Sequence, residues 1–306
     1  LSLLGAELPA RIMPANEGNP NGYWEPQAIV DFNDELLAHF GVEWSDPFAS
    51  TRIPAAHAIP ETFYQRAVQL VGDEYGDAGL FVLKDPRCTL LAEFWCEVLR
   101  RCAITPCPVV MMRPYLEVAD SLRRRDITSL ANATFIYLAY AARCIAFDKH
   151  NTVTFVTYGQ LLDDWQATVD RIAAEQGIEW PRSGAAVAAQ VESFLVPQPD
   201  RVIEADLPDA LKERADRLWS WVDGRARGEV AEDVDDILDE LDRYGTLFAP
   251  LIVERTLRAA RQQSRIDELR SLESKLHGMF EESQATLRTT AEARDQALRE
   301  RDVALQ

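Results

Sequence analysis

Residues 108–126 read PVVMMRPYLEVADSLRRRD. Val109, Val110, Met111 and Met112 form a short apolar run with no polar alternation, the pattern of a strand covered on both faces. Pro114 cannot continue a strand ladder but suits the first turn of a helix. The residues after it then take up helical spacing. Moving outward, the same grammar occurs twice more. Leu80–Leu83 is an apolar run closed by Lys84-Asp85-Pro86-Arg87 and followed by a helix with Leu90, Leu91, Phe94, Trp95, Val98 and Leu99. Thr152–Val156 is closed by Thr157 and Tyr158 and followed by Leu161, Leu162, Trp165, Val169 and Ile172. Three buried strands, each feeding a helix, predict an α/β fold with a parallel sheet flanked by helices. Ligands of such sheets bind beyond the carboxyl ends of the strands, so Lys84–Arg87, Arg113–Ser121 and Tyr158 are the first places to look.

The chain has 306 residues, of which 47% are apolar, enough to bury a sizeable core and to exclude a disordered chain. No apolar run approaches the ~20 residues of a membrane span. A formal charge of −18 argues against nucleic acid as a partner, while leaving room for one local anion pocket. Cys88, Cys96, Cys102, Cys107 and Cys144 are odd in number and lack metal-ligand spacing. A reduced, cytoplasmic chain with no bound metal is expected. Four prolines between residues 9 and 26 predict an irregular loop, which Tyr23 and Trp24 should pin down. Helices are predicted at 27–40, near 60–72, and as a pair within 207–246. The acids of 229–244 accompany an apolar stripe (Val230, Val234, Ile237, Leu238, Leu241) and read as a solvated helix face.

From Glu254 onward there is no proline and one glycine, Gly278. Ten basic and nine acidic residues from Arg255 on leave nearly all the negative charge to the rest of the chain. Spacings of seven recur (Leu269 to Leu276, Phe280 to Leu287, Leu298 to Leu305), with shifts of register between them. This predicts a body at 1–250 and a helical, coiled-coil-like tail or linker at 251–306, able to join copies of the chain or a fused domain.

Arg113, at the end of a predicted strand, could fork onto a phosphate or pair with a carboxylate, and Ser121 could donate to the same phosphate or simply face solvent. Arginine, then proline, then serine eight residues after the arginine, with a basic run following, resembles the 3′-phosphate-binding signature of the PAPS-dependent sulfotransferases. The asparagine usual between arginine and proline is missing. Asn16–Glu25 (NEGNPNGYWE) is similar to the N-P-x-G-[YH]-[FW]-E segment of bacterial sulfotransferase-like proteins, and Lys84–Arg87 to their K-D-P-R turn. Tyr158-Gly159-Gln160-Leu161-Leu162 is similar to their Y-x-x-L-L element. Together these segments span about residues 1–200 in the family's order.

The resemblance implies a P-loop-NTPase-like fold and transfer of a sulfuryl group from PAPS to a hydroxyl acceptor, such as a carbohydrate. It implies Arg113 and Ser121 on the 3′-phosphate, with Lys84 serving donor or acceptor unless it pairs with Asp85 and nearby acids. It places a catalytic carboxylate at Glu25, with Glu17 second; Glu25 could instead cap the helix beginning near Gln27. It also places the family's 5′-phosphosulfate loop upstream of Leu1. Two other classes remain: a P-loop nucleotide-binding or kinase-like protein, and a non-catalytic scaffold that works through its helical tail.

Overall fold

The computed structural model describes residues 1–15, 22–126, 128–195, 203 and 206–304. Its helices are α1 (Gln27–His39), α2 (Glu61–Tyr75), α3 (Ala92–Arg101), α4 (Tyr115–Asp126), α5 (Leu130–Asp148), α6 (Tyr158–Asp163), α7 (Trp165–Gln176), α8 (Gly184–Phe194), α9 (Asp209–Ala226) and α10 (Asp235–Ala304). Two strands, β1 (Val109–Met112) and β2 (Thr154–Thr157), pair in parallel, with Val109 opposite Thr154 and Met112 opposite Thr157. Helices α4 and α5 make the crossover that a parallel pair requires. The described structure is mostly helical (68%), and the sheet is a small element within it.

The third expected strand does not form among the described residues. Leu80–Leu83 makes a single parallel bridge, Phe81 with Glu7. The Glu7 N–H donates to the Leu80 carbonyl (2.8 Å) and the Val82 N–H to the Glu7 carbonyl (2.9 Å). An extended run becomes a strand only where a neighbour completes its ladder, and here the neighbour supplies one residue. The rest of the run is held by side chains: Tyr75 stacks on Phe81 at 4.1 Å and donates its hydroxyl to the Val82 carbonyl. Coverage of the sheet is also uneven. All of β2 is buried, whereas β1 is an open edge whose Met111 is 45% exposed.

The chain divides into two compact units, Leu1–Ala249 and Pro250 onward. In the first, α1, α2 and α3 share one core, where Phe32 meets Phe63, Phe94 and Trp95 at ring distances of 5.8–6.0 Å. A second core joins α5 to α9 and the start of α10 through Leu138, Ile145, Leu211, Leu218 and Ile237. Contrary to the sequence expectation, α5 is long and apolar enough to cross a membrane by length and composition. Its burial against α4 and α9 accounts for that composition. The acidic segment 229–244 is helical only from Asp235: Val234 and Ile237 face the core as expected, but Val230 lies before the helix and is fully exposed, because the chain there is still the connection leaving α9. The second unit is the continuation of α10.

Candidate functional site

The carboxyl end of the two-stranded sheet is built by register. Met112 lies opposite Thr157, so the next residues, Arg113 and Tyr158, emerge side by side. The Arg113 guanidinium carbon stands 3.9 Å from the centre of the Tyr158 ring, a cation–π contact. Thr157 fixes the tyrosine's position through a capping box: its hydroxyl accepts from the Gln160 N–H, and the Gln160 side chain accepts from the Thr157 N–H. Gln160 also donates to the Ala226 carbonyl, which ties the turn to α9. Behind Arg113, the Pro114 carbonyl accepts the first amides of α4, from Glu117 and Val118.

Arg113 is exposed and makes no ion pair or hydrogen bond among the described residues. Ser121 lies on the exposed face of α4, one turn beyond Glu117 on that face, and its hydroxyl also has no partner among the described residues. The basic run after it is largely consumed. Buried Asp120 takes Arg123 at 2.6 Å and Arg124 at 3.1 Å, while Arg125 lies 5.4 Å from the Trp44 ring.

The second cluster forms where the N-terminal loop returns. Ile12 and Pro26 form an antiparallel bridge, with the Met13 N–H on the Glu25 carbonyl and the Gln27 N–H on the Arg11 carbonyl. Trp24 adopts φ +58°, a costly conformation for a bulky residue, and is itself 42% exposed. The chain reversal leaves the tryptophan outside and turns Glu25 inward, where its side chain is buried. Lys84 Nζ reaches back to Glu25 Oε1 at 2.6 Å and to the Tyr23 carbonyl at 2.9 Å. Glu25 Oε2 has no hydrogen-bond partner among the described residues. The helix-cap alternative does not apply, because the residue before α1 is Pro26 and no side chain caps that end. Glu17 lies outside the described residues.

The rest of the Lys84–Arg87 turn is structural. Asp85 is buried and accepts from the Arg87 N–H (3.0 Å), Arg87 Nη1 (3.0 Å) and Asn33 Nδ2 (2.7 Å). Arg87 also meets Asp34 at 2.5 Å. Trp95 donates to Asn33 Oδ1 at 2.9 Å, completing a network that the sequence reading passed over. Its signal was a polar Asn33 on the buried face of α1, among Ile29, Leu36 and Leu37. Burial and the neighbouring Asp85 carboxylate push the Cys88 thiol well above its ordinary value, so it is a poor nucleophile at neutral pH. Burial does the same to Cys144, up to about 12.

The structure thus joins Glu25 to Lys84, and Arg113 to Tyr158. No hydrogen bond, ion pair or ring contact among the described residues links the two pairs. A cavity of about 10 Å³ between Ile59, Leu90, Phe94 and Arg143 is room for one water and includes none of these residues. No group of three metal-ligating side chains occurs among the described residues. No family model matches the chain, and no match is found among curated proteins or among solved structures.

Proposed function

We propose that this protein is sulfotransferase-like, binding the 3′-phosphate of PAPS at Arg113 and passing its sulfuryl group to a hydroxyl acceptor, with a carbohydrate as the acceptor class. One observation carries the reading: Arg113 is a cation left without a carboxylate among the described residues, at the carboxyl end of a parallel strand, on a chain in which acids outnumber bases 50 to 32. Most other arginines in the first unit have found an acid. A guanidinium kept free and aligned on an aromatic ring suits a phosphate. Ser121, with its hydroxyl free on α4, can add a hydrogen bond to the same anion. A P-loop-like extension of the two-stranded sheet belongs to this proposal as well.

PAPS supplies the activated sulfuryl group. Glu25 is the residue proposed to take the acceptor's proton, through Oε2, while Lys84 holds Oε1 and fixes the carboxylate's direction. Lys84 therefore serves Glu25 in this scheme, and phosphate binding rests on Arg113 and Ser121.

The test compares PAP with 5′-AMP, which lacks the 3′-phosphate, by calorimetry on the whole chain. PAP should bind the tighter of the two. Arg113→Ala should weaken PAP by roughly 10- to 100-fold, the range for charge-assisted hydrogen bonds, and leave AMP unchanged. Equal PAP affinity in wild type and Arg113→Ala would overturn the proposal. Glu25→Gln should keep PAP affinity and slow transfer from PAPS by about 10²–10⁴, the contribution of a positioned base.

A further inference from the structure

The part of α10 beyond Pro250 exposes more large apolar side chains than solvent alone explains. Ile266, Leu269, Leu272, Leu276, Met279, Phe280, Leu287 and Leu298 are each between 42% and 68% exposed. They are not scattered. Leu269, Leu276, Phe280, Leu287, Ala291 and Leu298 follow one another at steps of seven, four, seven, four and seven. A seven and a four make eleven residues in three turns, about 3.67 per turn, close to the pitch of a straight α-helix. The shifts of register that interrupt a heptad reading are therefore the repeat itself. These six side chains fall on one stripe, with Ile266, Leu272 and Met279 along its flanks, and Thr289, Gln296 and Glu282 lie on the opposite side.

We propose that this stripe is the seam of a two-stranded coil formed with a second copy of the chain, wound with the slight right-handed twist of an eleven-residue repeat. Matching knobs to holes along residues 266–298 requires a partner with the same alternation of seven and four, and another copy supplies it at every step. Charge allows the pairing: ten basic and nine acidic residues from Arg255 on leave the segment almost neutral, so two copies do not repel. Its ion pairs are local and exposed: Arg270–Asp267 lies off the stripe, while Arg294, which shares the stripe's face between Leu287 and Leu298, is turned to Asp295. Area suffices as well. Covering what two stripes expose removes on the order of 800 Å² of apolar surface. The stems of flanking Arg, Lys and Glu residues carry the contact past the ~1,000 Å² of a specific interface. The inference does not depend on the anion site.

Sedimentation and light scattering on the full chain test it. Wild type should have the mass of a dimer at micromolar concentration. Leu276→Glu and Leu287→Glu, each placing a charge in the seam twice per dimer, should weaken association roughly 100-fold or more and yield monomer. Thr289→Glu, on the far side of the same helix, should remain dimeric. Circular dichroism reports whether each variant keeps its helix, and PAP binding should be the same in all of them. A monomeric wild type would overturn the proposal. So would a dimer indifferent to both seam substitutions, or one that Thr289→Glu disrupts equally.

Discussion

Two basic segments follow extended runs in this molecule, and they have opposite fates. At Lys84–Arg87 every cation is committed: Lys84 to Glu25, Arg87 to Asp34 and Asp85. At Arg113 the guanidinium meets the face of Tyr158 and, among the described residues, no acid. The difference follows from the surroundings. The first run has no sheet beside it, so its turn is anchored by side chains, and a buried Asp85 must be satisfied by whatever donors the turn offers. The second ends a real strand whose backbone is already paired, so its terminal side chain is spared for other work. Structural demand consumes charge at one site and leaves it free at the other.

Stability measurements can break this comparison. Asp85→Ala should cost the most, about 3–5 kcal/mol by urea unfolding, because it strips a buried carboxylate from Arg87 and Asn33 together. A loss below ~1 kcal/mol, the level of a surface pair, would mean that the turn is not an anchor.

Lys84→Ala should cost about 1–2 kcal/mol, less because the lysine is half exposed. Adding Glu25→Gln to that variant should recover part of the loss, since the buried charge left unpaired would then be gone. Additive losses in this double-mutant cycle would show that the 2.6 Å contact contributes little.

Alkaline pH sharpens the contrast. The Cys88 thiol is raised in the folded state, chiefly by burial, so folding favours its protonated form. The stability it confers is complete below the ordinary thiol value of 9.0 and is lost as pH rises beyond it. The Tm of wild type should therefore decline above pH 9, and Cys88→Ala should flatten that decline; an unchanged decline would place the sensitive group elsewhere, with Cys144 next. Arg113→Ala should change stability least, by under ~1 kcal/mol, since only a solvent-exposed cation–π contact is lost. A large loss there would make Arg113 structural and remove the contrast altogether.

Periodicity was enough to place α1, α3 and the two paired runs, because each is a local pattern: apolar spacing for the helices, unbroken β-branched and apolar residues for Val109–Met112 and Thr152–Val156, although the ladder of β2 runs later, from Thr154 to Thr157. It also singled out both basic segments, since each closes an apolar run. It did not reveal that Leu80–Leu83 lacks a ladder, because pairing depends on which backbone arrives beside it and here only Glu7 does. It inclined Arg87 toward an ion pair, which the structure shows with Asp85 and Asp34, but it could not name every partner of either arginine. The partners that distinguish them, Asp34 on α1 and Tyr158 after β2, are distant in the chain. Sequence determined which segments could be helix or strand and which side chains carried charge. The tertiary structure decided which of those charges were spent, because the cost of burying an unpaired carboxylate is settled only when the elements around it have packed.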